Sequence, residues 1–348
     1  MPSVYKYKLP GNSLNGRGRN NDRIALRFIL CSLLIPFFTM AQDSSSSQNK
    51  LVFVSDTQQP MWVEKIVLKP DHNIEATSHI YKNIYNEKAQ NIYMLGDIVA
   101  LGYENKKWKA ADKFIGDCRK EGASVNAVLG NHEVLGRDKK GEMNFSKRFP
   151  ASVKTGYVSV SDSIAVVLLN SNFNTLTKAE KDKQQDWYEK TMKNLDATDS
   201  IATIIVACHH SPYSNSRIVG SSEPVQLYFV PAYLQSKKAQ LFISGHAHAF
   251  EHFKKYGKDF VVIGGGGGLH QPLNESISKI PDEAAEYKPH YHYLTVTRNG
   301  RQLDIVSHYL NPDFSAFAKG HSFYTSPNLV ETATVTAPLI PISLPSKK

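Results

Sequence analysis

Short apolar runs rich in β-branched residues alternate with amphipathic segments in the first half of the chain. LVFVS from Leu51, NIYML from Asn91 and VNAVL from Val125 are separated by segments of helical periodicity at about 73–90 and 105–121. Parallel strands need a crossover of a dozen or more residues, usually a helix. This βαβαβ alternation therefore predicts a parallel sheet with covered faces. With 348 residues, 41% of them apolar, the chain can bury a large core.

A second group of strands is predicted further along the chain. ATIIVAC and QLFIS are typical of buried strands, whereas TGYVSV with IAVVLLN, and YLTVTRNGRQLDIVS by itself, suit antiparallel hairpins. Thr177 and Glu180 form a capping box before a long helical segment. Residues 134–155 and 264–290 lack periodicity and are predicted to be long loops. We therefore predict an α/β fold, in which two mixed sheets pack face to face with helices outside as a four-layer αββα sandwich.

The first 41 residues have the pattern of a secretory signal. Six basic residues and one acidic residue accompany an apolar stretch from Phe28 to Ala41, which is short for a membrane span. We predict a cleaved signal peptide over 1–41 and an exported protein, periplasmic or secreted. An uncleaved signal that anchors the chain in a membrane is the alternative. Removing 1–41 lowers the formal net charge from +9 to +4, so the basic balance does not argue for nucleic acid.

The remaining organisation follows from composition. Residues 42–50 are predicted to be a linker, 51–310 the folded domain, and 311–348 a proline-punctuated C-terminal tail without helical periodicity, an extended piece of which packs on the domain. The sequence does not set the oligomeric state, and it predicts no stable membrane partner once the signal is removed.

Five predicted strands are each followed, within a few residues, by a side chain that can bind a metal. These side chains are Asp56, Asp97, Asn131, His209 and His246. The carboxyl ends of parallel strands converge at one edge of a sheet, where ligands bind. One Asp or Asn after a strand is usually a turn residue or helix cap. Their repetition at five strand ends is what predicts a metal site.

The segment GHAH strengthens this prediction. In an extended segment, alternation of side chains would place His246 and His248 on one side. Two imidazoles grouped in this way favour metal binding over a buried structural pair. We assign no special role to His252, which follows closely in the same segment.

At this point the chain resembles the calcineurin-like metallophosphoesterases, and among them the purple acid phosphatase-like branch. The resemblance covers about residues 51–310 and follows the family's order of motifs. The motifs are SDTQ at 55–58, GD at 96–97, GNHE at 130–133, CHHSPYS from Cys208, GHAHAFEH from Gly245 and a glycine run at 264–268. The resemblance implies the metallophosphoesterase fold and two bound metal ions.

The resemblance also implies a set of ligands for each ion. One ion would take Asp56, Gln58, Asp97 and His248, and the other Asp97, Asn131, His209 and His246. Asp97 would then bridge the two. His209 and His210 compete for one position. We prefer His209, because Tyr213 follows it by the family's usual four residues.

Two departures from the family pattern bear on the metals. Gln58 stands where many members have histidine, and Ala100 stands where purple acid phosphatases have the tyrosine that colours their iron. We therefore expect no tyrosinate-to-iron absorption. An amide oxygen is a harder ligand than imidazole, which favours manganese, iron or magnesium over zinc at the Asp56 ion. The cofactors are predicted to be two divalent or trivalent transition metal ions of Fe, Mn or Zn.

The implied activity is hydrolysis of a small phosphorylated substrate by attack of a metal-bridging hydroxide. His132 and His210 are the implied catalytic residues, His132 near the leaving group and His210 near the phosphate. A phosphodiesterase built on the same metal centre is one alternative. A degenerate module that binds metal and phosphate without turnover is another, and Gln58 is its main support. A structural metal site is disfavoured, because structural zinc sites use closed sets of Cys and His.

Overall fold

The first of two sheets contains the strands that open and close the folded region. The computed structural model describes residues 49–276 and 279–327. Three neighbouring strands of this sheet are parallel, and the three C-terminal strands extend it in antiparallel order. Its strands are β1 (Leu51–Val54), β2 (Asn91–Met94), β3 (Ser124–Ala127), β10 (His292–Asn299), β11 (Gln302–Leu310) and β12 (Phe317–Tyr324). Their order is β12-β11-β10-β1-β2-β3.

The second sheet is built from the middle of the chain. Its four central strands run parallel, and an antiparallel strand closes each edge. Its strands are β4 (Tyr157–Ser161), β5 (Ile164–Leu168), β6 (Thr203–Ala207), β7 (Ala239–Ser244), β8 (Phe250–Lys255) and β9 (Lys258–Ile263). Their order is β4-β5-β6-β7-β9-β8.

The helices lie along the crossovers and in the loops that follow strands. They are α1 (Asn73–Asn86), α2 (Lys109–Lys120), α3 (Asn131–Val134), α4 (Asp138–Arg148), α5 (Lys178–Ala197), α6 (Glu223–Tyr228) and α7 (Val230–Gln235). Short 3-10 turns occur at Glu64–Ile66, Asn105–Trp108 and Phe173–Thr175. The capping box predicted for α5 is confirmed, since the Thr177 hydroxyl accepts the Glu180 N–H and the Glu180 carboxylate accepts the Thr177 N–H.

Side-chain alternation divides the core into layers. On β1, Val52 and Val54 face outward into a cluster with α1 and α2, whereas Leu51 and Phe53 face inward into a cluster shared by both sheets. A third cluster joins the outer face of the second sheet to α5 and α7. The predicted four-layer αββα sandwich of two mixed sheets is therefore confirmed.

One part of the sequence prediction needs correction, and another can be located in the structure. Residues 134–155, predicted to be a loop, contain α4, which buries only Gly141, Asn144 and Phe145 and so has little apolar periodicity. The extended piece that the region 311–348 was predicted to pack on the domain corresponds to β12, which pairs with β11. β12 is an edge strand whose side chains are mostly half-buried or exposed, which leaves no clear apolar alternation.

The predicted signal peptide, most of the predicted linker and residues 328–348 lie outside the described residues. Within the described part of the chain, none of the helices combines the length and hydrophobicity needed to cross a bilayer.

Candidate metal centre

The loops that carry the predicted ligands come from both sheets and meet at one end of the sandwich. Asp56, Asp97 and Asn131 follow the parallel strands β1, β2 and β3 of the first sheet. His209 and His246 follow the parallel strands β6 and β7 of the second. The strand-end pattern in the sequence therefore corresponds to one meeting point in the fold.

Two glycines let these loops approach one another closely. A Cβ atom on Gly130 would overlap the Asp97 amide nitrogen and Oδ1, and one on Gly245 would overlap the Ser55 hydroxyl and the Asp56 carboxylate. Asp56, Asp97 and His246 themselves adopt positive φ angles of 60°, 49° and 67°. Such left-handed backbone is uncommon for residues other than glycine, although Asp and His adopt it more readily than most, and it clusters at functional sites.

The side chain of Glu133 connects the loop that carries Asp97 to the loop that carries Asn131. Its buried carboxylate accepts hydrogen bonds from the main-chain N–H groups of Asp97 (2.8 Å), Ile98 (2.8 Å), Val99 (3.1 Å) and Gly130 (2.8 Å). Burial and the charge of Asp97 raise the pKa of Glu133 to about 7. Glu133 therefore fixes the loop that carries Asp97 to the loop that carries Asn131.

One group of ligand atoms contains Asp56, Asp97 and His248, whose donor atoms lie within 4.8 Å of one another. Nδ1 of His248 donates a hydrogen bond to the Leu269 carbonyl at 2.7 Å. Nε2 is therefore the ring nitrogen that could bind a metal, and it lies 3.3 Å from Asp56 Oδ1. Burial lowers the pKa of His248, but its hydrogen bond to Asp56 and the charge of Asp56 outweigh this, and the pKa is raised.

Gln58 is buried beside this group. Its amide is satisfied when the nitrogen donates to the carbonyls of Asp97 (2.9 Å) and Asp56 (3.1 Å), which turns the oxygen to 3.2 Å from His248 Nε2. The amide oxygen therefore faces the same point as the donor atom of His248. Gln58 thus lies against His248 and Asp56, and its role as a metal ligand stays a prediction.

A second group contains His209, His210 and His246, whose donor atoms also lie within 4.8 Å of one another. His209 Nδ1 is 2.9 Å from the Leu95 carbonyl, and its Nε2 lies 3.0 Å from Asn131 Oδ1 and 3.3 Å from Asp97 Oδ2. Burial lowers the pKa of His209, but Asp97 outweighs it and raises the pKa to about 9.

Asp97 links the two groups. It belongs to the group of Asp56 and His248, and its Oδ2 also contacts His209 of the second group. Burial would raise its pKa, but the neighbouring histidines, His209 first, hold the pKa well below the usual value. The Asp97 carboxylate is thus within 4.8 Å of the metal-binding atoms of Asp56 and His248 and also 3.3 Å from Nε2 of His209.

The donor set fits a pair of cations. With Nδ1 donating to a main-chain carbonyl, Nε2 of His209 and Nε2 of His248 lie 3.0–3.3 Å from oxygen atoms. Such contacts need a proton or a cation between nitrogen and oxygen, and the raised pKa of both rings indicates that positive charge is favoured there. Carboxylate, amide and imidazole donors together suit divalent transition metals.

The two predicted catalytic histidines lie at the edges of this set. His132 Nδ1 is 3.0 Å from the Ala100 carbonyl, and its Nε2 lies 3.8 Å from Asp97 Oδ2 and 3.7 Å from Glu64 Oε1. His210 Nδ1 is 2.8 Å from the Ser171 hydroxyl. Burial and the charge of His209 lower the pKa of His210 to about 3, so its ring is neutral.

Sequence reasoning missed Glu64 and Ser171. Both approach the site from loops that carry no motif, and a single Glu or Ser in a loop gives no signal of its own. His209 has Asn131 and Asp97 against its Nε2, whereas the Nδ1 of His210 faces Ser171. These contacts favour His209 over His210 as the ligand, although both donor atoms belong to the second group.

Comparison with known proteins gives a family and a fold. A family model described as calcineurin-like phosphoesterase matches residues 50–250. The purple acid phosphatase PPD1 from yellow lupin (Lupinus luteus) seeds superposes with a TM-score of 0.57 at 16% identity, covering 79% of this chain and 53% of that one. GAP50, the anchor in the inner membrane complex of Plasmodium, gives 0.51 at 16% identity, covering 78% and 88%. The chain thus spans about half the length of the lupin protein.

Proposed function

We propose that the chain is a two-metal phosphohydrolase that cleaves phosphate monoesters. It belongs to the calcineurin-like phosphoesterase family, because the residues that match the family model make up more than half of the chain. The observation that carries this proposal is the position of Asp97, which contacts His209 in one group of donors and belongs to the other with Asp56 and His248. The ligands we propose are Asp56, Gln58, Asp97 and His248 for one ion, and Asp97, Asn131, His209 and His246 for the other.

The charge of the proposed ligands suits a phosphate dianion. Asp56 and Asp97 are the two acidic side chains among them, so two divalent ions would leave the centre with an excess of positive charge. When bound, such a pair of ions lowers the pKa of water and stabilises the oxygens of an in-line displacement.

Two histidines would act on the substrate, one by donating a proton and the other by contacting the phosphate. His132 is held at Nδ1 by the Ala100 carbonyl, which leaves Nε2 free to donate a proton to the departing oxygen. The Ser171 hydroxyl contacts Nδ1 of His210 and orients the ring, so that Nε2 can contact a phosphate oxygen. Neither role requires a covalent enzyme intermediate.

An assay with two synthetic esters tests the proposal. In the presence of manganese, iron or zinc, p-nitrophenyl phosphate should be hydrolysed at least about tenfold faster than the bis(p-nitrophenyl) diester, and a chelator should remove the activity. Faster cleavage of the diester would instead support a phosphodiesterase on the same metal centre. Cleavage of neither ester with any of the three metals would count against both the phosphatase and the phosphodiesterase.

Gln58 gives a second test, because it is also the argument for a module that binds without turnover. Gln58→His should raise zinc affinity about tenfold or more, since imidazole is the better zinc ligand, and should increase zinc-supported hydrolysis. Gln59→His is the matched control, because Gln59 is the exposed neighbour. If the natural chain is inactive and only Gln58→His hydrolyses the ester, the natural protein is the non-catalytic module.

We further propose that the protein is exported. The support is the basic and apolar pattern of residues 1–41, described above. N-terminal sequencing of the mature protein should start close after residue 41, whereas an intact N terminus in the membrane fraction would favour an anchored form.

A further inference from the structure

A cavity of about 310 Å³ opens beside the proposed metal centre. The proposed ligand Asn131 and the proposed phosphate-contacting His210 both line it. A phosphate held at the centre would therefore have this cavity next to it. The volume is at the small end for ligand pockets, which suits a compact group rather than a peptide.

Three segments form the walls of this cavity. They are the end of α3 and the residue after it, with Val134 and Leu135, the turn at 171–175 after β5, and the start of α6 with Ser222 and Pro224. Among the described residues that line the cavity, there is no Asp, Glu, Lys or Arg. The walls of the cavity therefore offer no partner of opposite charge to a charged group.

Phe173 supplies a firm apolar wall. Its side chain is 7% exposed, and its ring packs against Tyr228 and Phe229 with centroids 5.2 Å away in both cases. An aromatic ring held in this way favours another ring against it. Asn174 lies exposed at the rim, where its amide can serve a neutral polar group.

We infer that this cavity, which we name the Phe173 pocket, binds the organic group of the substrate and selects a compact, uncharged, ring-bearing group over an anionic one. The inference rests on the proposed function and specifies its substrate class. Monoesters of phenols or of small neutral ring-bearing alcohols would fit, whereas pyrophosphate, whose departing group is itself a phosphate, would be disfavoured.

Three substrates test this selectivity on the metal-loaded protein. We expect kcat/KM to fall in the order phenyl phosphate, glycerol phosphate, pyrophosphate. Phe173→Leu should lower kcat/KM for phenyl phosphate about tenfold, chiefly through KM, and leave kcat/KM for glycerol phosphate nearly unchanged.

Because Phe173 also packs in the core, Asn174→Lys provides a second variant at an exposed position. It should raise kcat/KM for pyrophosphate by about tenfold relative to phenyl phosphate, since it adds a cation to the pocket.

Asn194→Lys, at an exposed position on α5, controls for added charge alone and should leave the ratio unchanged. Hydrolysis of all three substrates at similar kcat/KM, or an equal shift of the ratio by Asn174→Lys and Asn194→Lys, would overturn the assignment of the pocket and leave the phosphatase intact. If no substrate were hydrolysed, the proposed function would fail and this inference with it.

Discussion

Asp97→Asn is expected to lower kcat by about a thousandfold or more and to reduce the bound metal from two ions to one or fewer per chain. Asp97 is the carboxylate that contacts both groups of donor atoms. An asparagine keeps the shape, but it replaces a charged oxygen with an NH₂ group that repels a cation and cannot bind one. One substitution should therefore weaken both ions at once.

Metal analysis and steady-state kinetics on the same preparation measure this effect. Asp182→Asn is the matched control, because Asp182 is exposed on α5 and pairs only with Lys178 among the contacts described. The control should keep both ions and full activity. An Asp97→Asn protein that is folded, holds two ions and keeps its activity would remove the basis of the proposed mechanism.

Five of the seven predicted ligands were found in the sequence because each comes within a few residues of the end of a strand, whereas Gln58 was implied by the resemblance and His248 was indicated by the GHAH segment. Asp97 and His246 come two or three residues after β2 and β7, and the direction of parallel strands then brings their ends together. The ligand pairing within the site came from the resemblance, since spacing along the chain does not say which side chains from different strands share an ion.

Other features could not be predicted because their cause is tertiary. α4 and β12 bury few side chains, so neither gives the apolar period that marks a helix or a strand. Glu64 reaches His132 from a short 3-10 turn, and Ser171 reaches His210 from the loop after β5. The orientation of the Gln58 amide follows from two main-chain carbonyls that no local pattern reveals.

Glu133→Ala is expected to destabilise the fold strongly, although Glu133 is not among the proposed ligands. Its carboxylate is the acceptor for four main-chain N–H groups in the loops of Asp97 and Asn131. A buried N–H without a partner costs about 1–3 kcal/mol. Even if water replaces the acceptor at some of them, the free energy of unfolding should fall by about 4 kcal/mol or more.

Urea unfolding of Glu133→Ala and Glu133→Gln separates the effect of losing the hydrogen-bond acceptor from the effect of losing the charge. Glu133→Gln keeps one oxygen, which can serve the two N–H groups on one side, and turns an NH₂ group toward the other two. Its loss of stability should therefore lie between that of Glu133→Ala and that of Glu189→Gln, an exposed control on α5 that should match the natural protein. If Glu133→Ala were as stable as the control, the four N–H groups would need another acceptor, and the loops of Asp97 and Asn131 would not depend on Glu133 for their position.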